Sequence, residues 1–117
     1  MGITYVTAQV RGKSGKGKKV QLLVDSGATY SLLPEKVWRG LGLKAMRSVI
    51  FQLADGTPIE RKVSECYFVL PQGEGHSPVI LGEKDDAPLM GVVTLETLGL
   101  VLNPFKRTLQ DMKSMLA

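Results

Sequence analysis

Short apolar runs, each stopped by glycine or proline, constrain this chain more than any other feature. Thirteen glycines and six prolines punctuate 117 residues. The runs between them have the length of strands, and that spacing predicts an all-β domain with one or two short helices. Tyr5 to Val10 alternates, with Val6, Ala8 and Val10 on one face. Val20 to Val24 is more continuously apolar and reads as a buried strand, and Tyr30 to Leu33 resumes extended structure. Pro34 begins a short helix with Glu35 in its first turn, Val37, Trp38 and Leu41 on one side, and Gly40 or Gly42 at its end. Strands Val49 to Leu53 and Ile59 to Leu70 flank the hairpin signal Asp55-Gly56. Pro71 to Pro78 reads as a loop, Val79 to Leu81 as a strand and Asp85 to Pro88 as a turn. A second helix follows over Val92 to Leu98, capped by Gly99. Leu100 to Leu102 and a last strand near Thr108 to Leu109 close the chain. Two segments rhyme, Leu22–Leu41 and Leu89–Leu98: apolar strand, Gly-containing turn, short helix.

A chain of 117 residues with 44% apolar side chains suits a single domain spanning 1–117. One cysteine and one histidine leave no disulfide framework and no conventional structural metal site. Aromatics at 6% argue against a stacking platform for single-stranded nucleic acid. The net charge of +4 owes much to four lysines between Lys13 and Lys19, a run that reads as a solvated hairpin tip, so no nucleic-acid partner is expected. No apolar stretch approaches a membrane span. With no secretory n- and h-regions, the expected compartment is the cytoplasm.

Several candidate motifs fail on chemistry. Gly12-x-x-x-x-Gly17-Lys18 has the spacing of a phosphate-binding loop, but Lys19 stands where a magnesium-binding hydroxyl is required. A strand follows, where a helix should open. Cys66 lies in a strand-like run beside Tyr67 and Phe68 and reads as a small core hydrophobe. His76 reads as a surface residue, with no Gly-x-Ser-x-Gly elbow to give it a nucleophile.

Leu22-Leu23-Val24-Asp25-Ser26-Gly27-Ala28-Thr29 is different. It ends a very apolar strand on a carboxylate, which is costly unless that group is hydrogen-bonded or paired. Asp-Ser-Gly alone is also good turn chemistry. Its setting adds weight: an Ala54-Asp55-Gly56-Thr57 hairpin follows, and then Leu89-Met90-Gly91 running into a helix. In this ordered set, from about Tyr5 to Asn103, the chain resembles the retroviral-type aspartic proteases, the retropepsin-like family with its prokaryotic members. Retroviral members usually carry an acidic residue after the alanine and an arginine after the last glycine. This chain has Thr29 and Val92, which points to the cellular or bacterial branch.

The resemblance implies a retropepsin-like closed β-barrel or sandwich acting as a C2 homodimer, with no cofactor and no metal. Asp25 is the implied catalytic residue, one from each subunit, activating a water for peptide-bond hydrolysis. Ser26 would bond across the two-fold axis, and Gly27 would present its backbone to the dyad. Asp55, Gly56 and Thr57 would form a flap over an extended polypeptide. Ala28, Thr29, Leu89 and Met90 would complete the substrate-binding set, and Gly91 would allow close packing behind the Asp loop. Val24, Leu32, Trp38, Leu95 and Leu98 are expected in the core. The alternative is a non-catalytic homodimerisation or peptide-binding module on the same fold. Residues 105–117 read either as a hairpin completing the dimer sheet or as a small amphipathic tail.

Overall fold

The computed structural model describes residues 3–112. Nine strands and two short helices follow in the order β1 (Tyr5–Arg11), β2 (Gly17–Val24), β3 (Ser31–Leu33), α1 (Glu35–Gly40), β4 (Arg47–Gln52), β5 (Pro58–Leu70), β6 (Gly73–Leu81), β7 (Leu89–Met90), α2 (Val92–Thr97), β8 (Leu100–Asn103) and β9 (Thr108–Asp111). Seven strands form one sheet in the order β1-β2-β7-β3-β6-β5-β4, and β1 also pairs with β5. That extra pairing, Val10 opposite Phe68, closes the sheet into a barrel and removes its edges. Only β4 stays outside the closure. It is bonded to the first half of β5 and projects as a two-stranded arm with no buried side chain of its own.

Alternation fills the barrel. Ala8, Val10, Val20, Leu22, Val24, Leu33, Phe68, Val79 and Met90 meet in one buried cluster, as period-two strands with one apolar face require. The helices close off the core. Pro34 is the N-cap of α1 (ψ 162°) and sits just before its first turn. Val37 and Leu41 are buried, Trp38 packs against them, and the Trp38 indole N–H donates to the Gly82 carbonyl at 2.8 Å. Beyond α1, Gly42 takes the left-handed conformation (φ 72°) that ends a helix; Gly40 stays helical.

Two sequence expectations need correction. Residues 71–78 are not a loop. Strand β6 begins at Gly73, and only Pro71 and Gln72 turn the chain between Leu70 and Gly73. The glycines there mark a close approach: a Cβ on Gly73 would lie 3.0 Å from the Leu98 carbonyl, and one on Gly75 would lie 3.4 Å from the Leu98 side chain. Pro78 is tolerated because β6 pairs with β3 only from Val79 onward, so its missing N–H interrupts no ladder on that side. The lysine-rich tip is also shorter than expected: Lys18 and Lys19 lie in β2, opposite Val10 and Gln9.

Cys66 is buried in the core, and burial, with the Glu65 carboxylate adding to it, pushes its thiol up to about 12. The folded protein is therefore expected to resist thiol alkylation at pH 8 and to react at once in denaturant, because the thiolate is the nucleophile. Labelling monitored by mass spectrometry checks this; fast labelling of the native protein would contradict the burial.

Candidate active site

Asp25 stands where β2 leaves the barrel. Its N–H donates to the Met90 carbonyl at 3.0 Å, and its own carbonyl accepts from Ala28 N–H at 3.1 Å. One carboxylate oxygen, Oδ1, accepts from Gly27 N–H at 2.9 Å. The result is a tight loop with Asp25 half-buried and Ser26, Gly27 and Thr29 exposed. Further backbone bonds sew this loop to the chain on either side of β7. Leu23 N–H reaches the Pro88 carbonyl at 3.0 Å, Val92 N–H reaches that of Ala28 at 2.8 Å, and Val93 N–H reaches that of Thr29 at 3.0 Å. Gly91 fits under the loop so closely that a Cβ there would lie 2.6 Å from the Tyr30 carbonyl carbon and 2.9 Å from the Ala28 oxygen.

The rhyming segments become neighbours. Strand β7 inserts between β2 and β3, with Leu89 opposite both Leu23 and Leu32, and Leu32 opposite Ile80. Opposed residues share a face, so Leu23, Leu89, Leu32 and Ile80 form one apolar stripe on the barrel's outer side. All four are half-buried. The alternation of β2 carries this face on to Asp25. Leu23, Leu32 and Ile80 are missing from the residues that sequence reasoning assigned to the site; only the crossed strand order brings them together. Leu32, expected in the core, lies on this stripe, whereas Val24 and Leu95 are buried and Trp38 and Leu98 pack on the core as expected. Met90 takes the opposite parity from Leu89 and is 0% exposed. It is a core residue, and in this protomer it offers no wall to a ligand.

Asp55, Gly56 and Thr57 lie exposed at the tip of the β4–β5 arm. Asp55 Oδ1 accepts from Thr57 N–H at 2.9 Å, and hydrogen bonds from Thr57 hold the Asp55 carboxyl below its ordinary pKa. Gly56 has φ 88°, and a Cβ added there would meet nothing within 4 Å, so its requirement is conformational. The arm carries exposed Ile50 and Leu53. It reaches back to the Asp loop through an edge-to-face contact of Phe51 with Tyr30, centroids 5.7 Å apart.

Two concavities stand out among the described residues. One of about 360 Å³ lies between the β1–β2 tip, residues 42–46 and the middle of β5, and includes nothing of the Asp loop. The other, about 320 Å³, runs between α2 and the β8–β9 hairpin and has Ser26 at one end. Among the described residues no three of His, Cys, Asp and Glu converge to hold a metal ion.

The family model described as aspartyl protease matches residues 6–82, from β1 through the Asp loop and the arm to the end of β6. The chain belongs to the aspartyl protease family. It is an aspartic-type endopeptidase with a retropepsin-like fold. The solution structure of simian foamy virus (mac) protease is similar in fold, with a TM-score of 0.57 and 17% identity over 80% of this chain and 92% of that one. The crystal structure of a retropepsin-like aspartic protease from Rickettsia conorii gives a TM-score of 0.52 and 25% identity over 87% of this chain and 85% of that one. No curated protein matches the chain.

Proposed function

We propose that this protease is a single-domain homodimer that places one Asp25 from each protomer around a shared water. The observation that carries the proposal is the single Asp-Ser-Gly loop, with Asp25 half-buried and its N–H bonded to β7, on the same face as the apolar stripe of Leu23, Leu89, Leu32 and Ile80. Aspartic hydrolysis needs two carboxylates in different protonation states, and a two-fold axis supplies both from one sequence. Like charges at close range hold one proton between them. The ionised Asp25 takes a proton from the water, whose oxygen attacks the scissile carbonyl carbon. The protonated Asp25 donates to the carbonyl oxygen. The Asp25 that took the water's proton then gives it to the leaving nitrogen as the C–N bond breaks, and a hydroxyl of the tetrahedral intermediate returns a proton to the other Asp25, restoring the dyad's one shared proton.

Ser26 and Gly27 serve as loop supports at the axis. The peptide lies as an added strand between the floor and the arm, with Ala28, Thr29 and Leu89 beneath it and Asp55, Gly56 and Thr57 above. Leu23, Leu32 and Ile80 extend the floor, and Met90 supports it from the core. The exposed apolar side chains of the arm, Ile50 at 69% and Leu53, support a lid that buries them on substrate. Sedimentation at micromolar concentration, with and without a transition-state peptidomimetic, tests the proposal. The expected result is a dimer that the inhibitor tightens; a monomer that cleaves at full rate sinks it.

The β8–β9 hairpin supplies the dimer face. Among the described residues strands β8 and β9 pair only with each other; Leu100 and Leu109 bury one face of the hairpin in the protomer's own core, and its other face is left for a partner. The exposed Phe105 (91%), Val101 and Met112 sit on this hairpin or just beyond it, next to the groove that ends at Ser26. Residues 113–117, part of the segment left open by the sequence, lie outside the described residues. Phe105→Asp is expected to weaken dimerisation at least about 10-fold, since burying a charge in place of a ring costs more than the roughly 1.4 kcal/mol this represents. Activity measured against enzyme dilution checks it; an unchanged dilution curve removes Phe105 from the interface.

A further inference from the structure

The seam that holds the Asp loop has a gap in its backbone bonding. Asp25 N–H, Val92 N–H and Val93 N–H all find carbonyls across the seam. Gly91 N–H, just before Val92, donates instead to the Ser31 hydroxyl at 3.0 Å. Ser31 Oγ lies 2.5 Å from Thr94 Oγ1, and Thr94 Oγ1 lies 2.7 Å from Ser77 Oγ. Ser77 in turn donates to the Pro78 carbonyl at 3.3 Å. The three side chains come from β3, α2 and β6, and all are essentially buried.

Counting protons fixes the direction. Ser31 accepts from Gly91, so its own proton needs an acceptor, and Thr94 is the one within reach. The Thr94 proton then passes to Ser77, and the Ser77 proton to the Pro78 carbonyl. This order uses every donor once. The reverse order leaves the Ser31 proton with no acceptor in a dry site, a state that buried polar groups avoid.

We infer that Ser31, Thr94 and Ser77 are positioning residues for catalysis, a buried hydroxyl line that fixes Gly91 and, through the adjoining Met90 carbonyl, the backbone of Asp25. The assignment rests on the Asp25 mechanism proposed above. It goes further by making the Asp loop depend on three hydroxyls that never meet substrate. A group held through packed hydrogen bonds sets where a catalytic carboxylate sits, and small displacements there cost rate more than binding.

The test measures kcat per active site titrated with a tight-binding transition-state peptidomimetic, so that loss of folded protein does not count. Thr94→Val keeps the shape and removes the hydroxyl; kcat is expected to fall about 10-fold with KM held within about two-fold. Thr94→Ser restores the hydroxyl and is expected to recover kcat to within about two-fold. Ser77→Ala is expected to cost only about three-fold, because Ser31 keeps its acceptor. If Thr94→Val yields no folded protein, Ser31→Ala against Ser77→Ala carries the same ordering, larger loss first. An unchanged kcat in Thr94→Val, an equal loss in Thr94→Ser, or a reversed order overturns the assignment. An Asp25→Asn control separates the two ideas. Full activity in that control sinks the mechanism itself; an inactive control beside an unaffected Thr94→Val sinks only the hydroxyl line.

Discussion

Asp25→Asn is expected to lower kcat/KM on a flexible polypeptide by about 10³-fold while the dimer stays folded. Asparagine keeps the shape, and its amide oxygen can still accept from Gly27 N–H. It can neither take a proton from water nor carry the one that the dyad shares. Mixing supplies a second reading of the same variant. Because each site needs one Asp25 from each protomer, equal amounts of variant and wild type, allowed to exchange, leave about a quarter of the dimers fully competent. Activity per wild-type chain should therefore drop on mixing. A variant within about ten-fold of wild type, or a mixture whose activities simply add, would falsify the shared-site mechanism.

Gly91→Ala is expected to damage stability and the Asp loop together. The backbone of Gly91 is ordinary extended chain, φ −98° and ψ 178°, so the conformation itself admits any residue. The obstacle is space. The new Cβ would lie 2.6 and 2.7 Å from Tyr30 backbone atoms and 2.9 Å from the Ala28 oxygen, none of which can swing aside. Relief means opening the seam and moving the Asp loop. We expect a loss of about 3 kcal/mol in stability, read as a Tm lowered by roughly 10 °C or more, together with near-complete loss of activity. Gly56→Ala makes a useful contrast, since there the methyl meets open space and only the positive φ opposes it, at about 1 kcal/mol. Equal thermal shifts for the two variants would contradict this account of Gly91.

Some parts of this protein were legible without coordinates because they depend on neighbours in the chain. Alternation in Tyr5 to Val10, the Asp55-Gly56 turn, the Gly99 cap and the strand that runs into Asp25 are local chemistry, and each stands where the sequence puts it. The glycines of residues 71–78 resemble loop residues locally but have a tertiary cause. Gly73 and Gly75 are small because Leu98 lies against them, and so distant a residue leaves no local trace. The same limit hid Leu23, Leu32 and Ile80: each is an ordinary strand leucine or isoleucine until β7 is inserted between β2 and β3.

The order of residues alone thus determined the all-β class, the Asp-Ser-Gly loop and the hairpin beyond it, because turn chemistry and period-two patterning act over a few bonds. Tertiary structure decided which half of each strand faces the barrel, that Met90 belongs to the core while Leu89 joins Leu23 and Leu32 on the outer face, and that three distant hydroxyls line up behind Gly91. Those outcomes depend on strand register and crossing, where a shift of one residue exchanges the two faces of a strand.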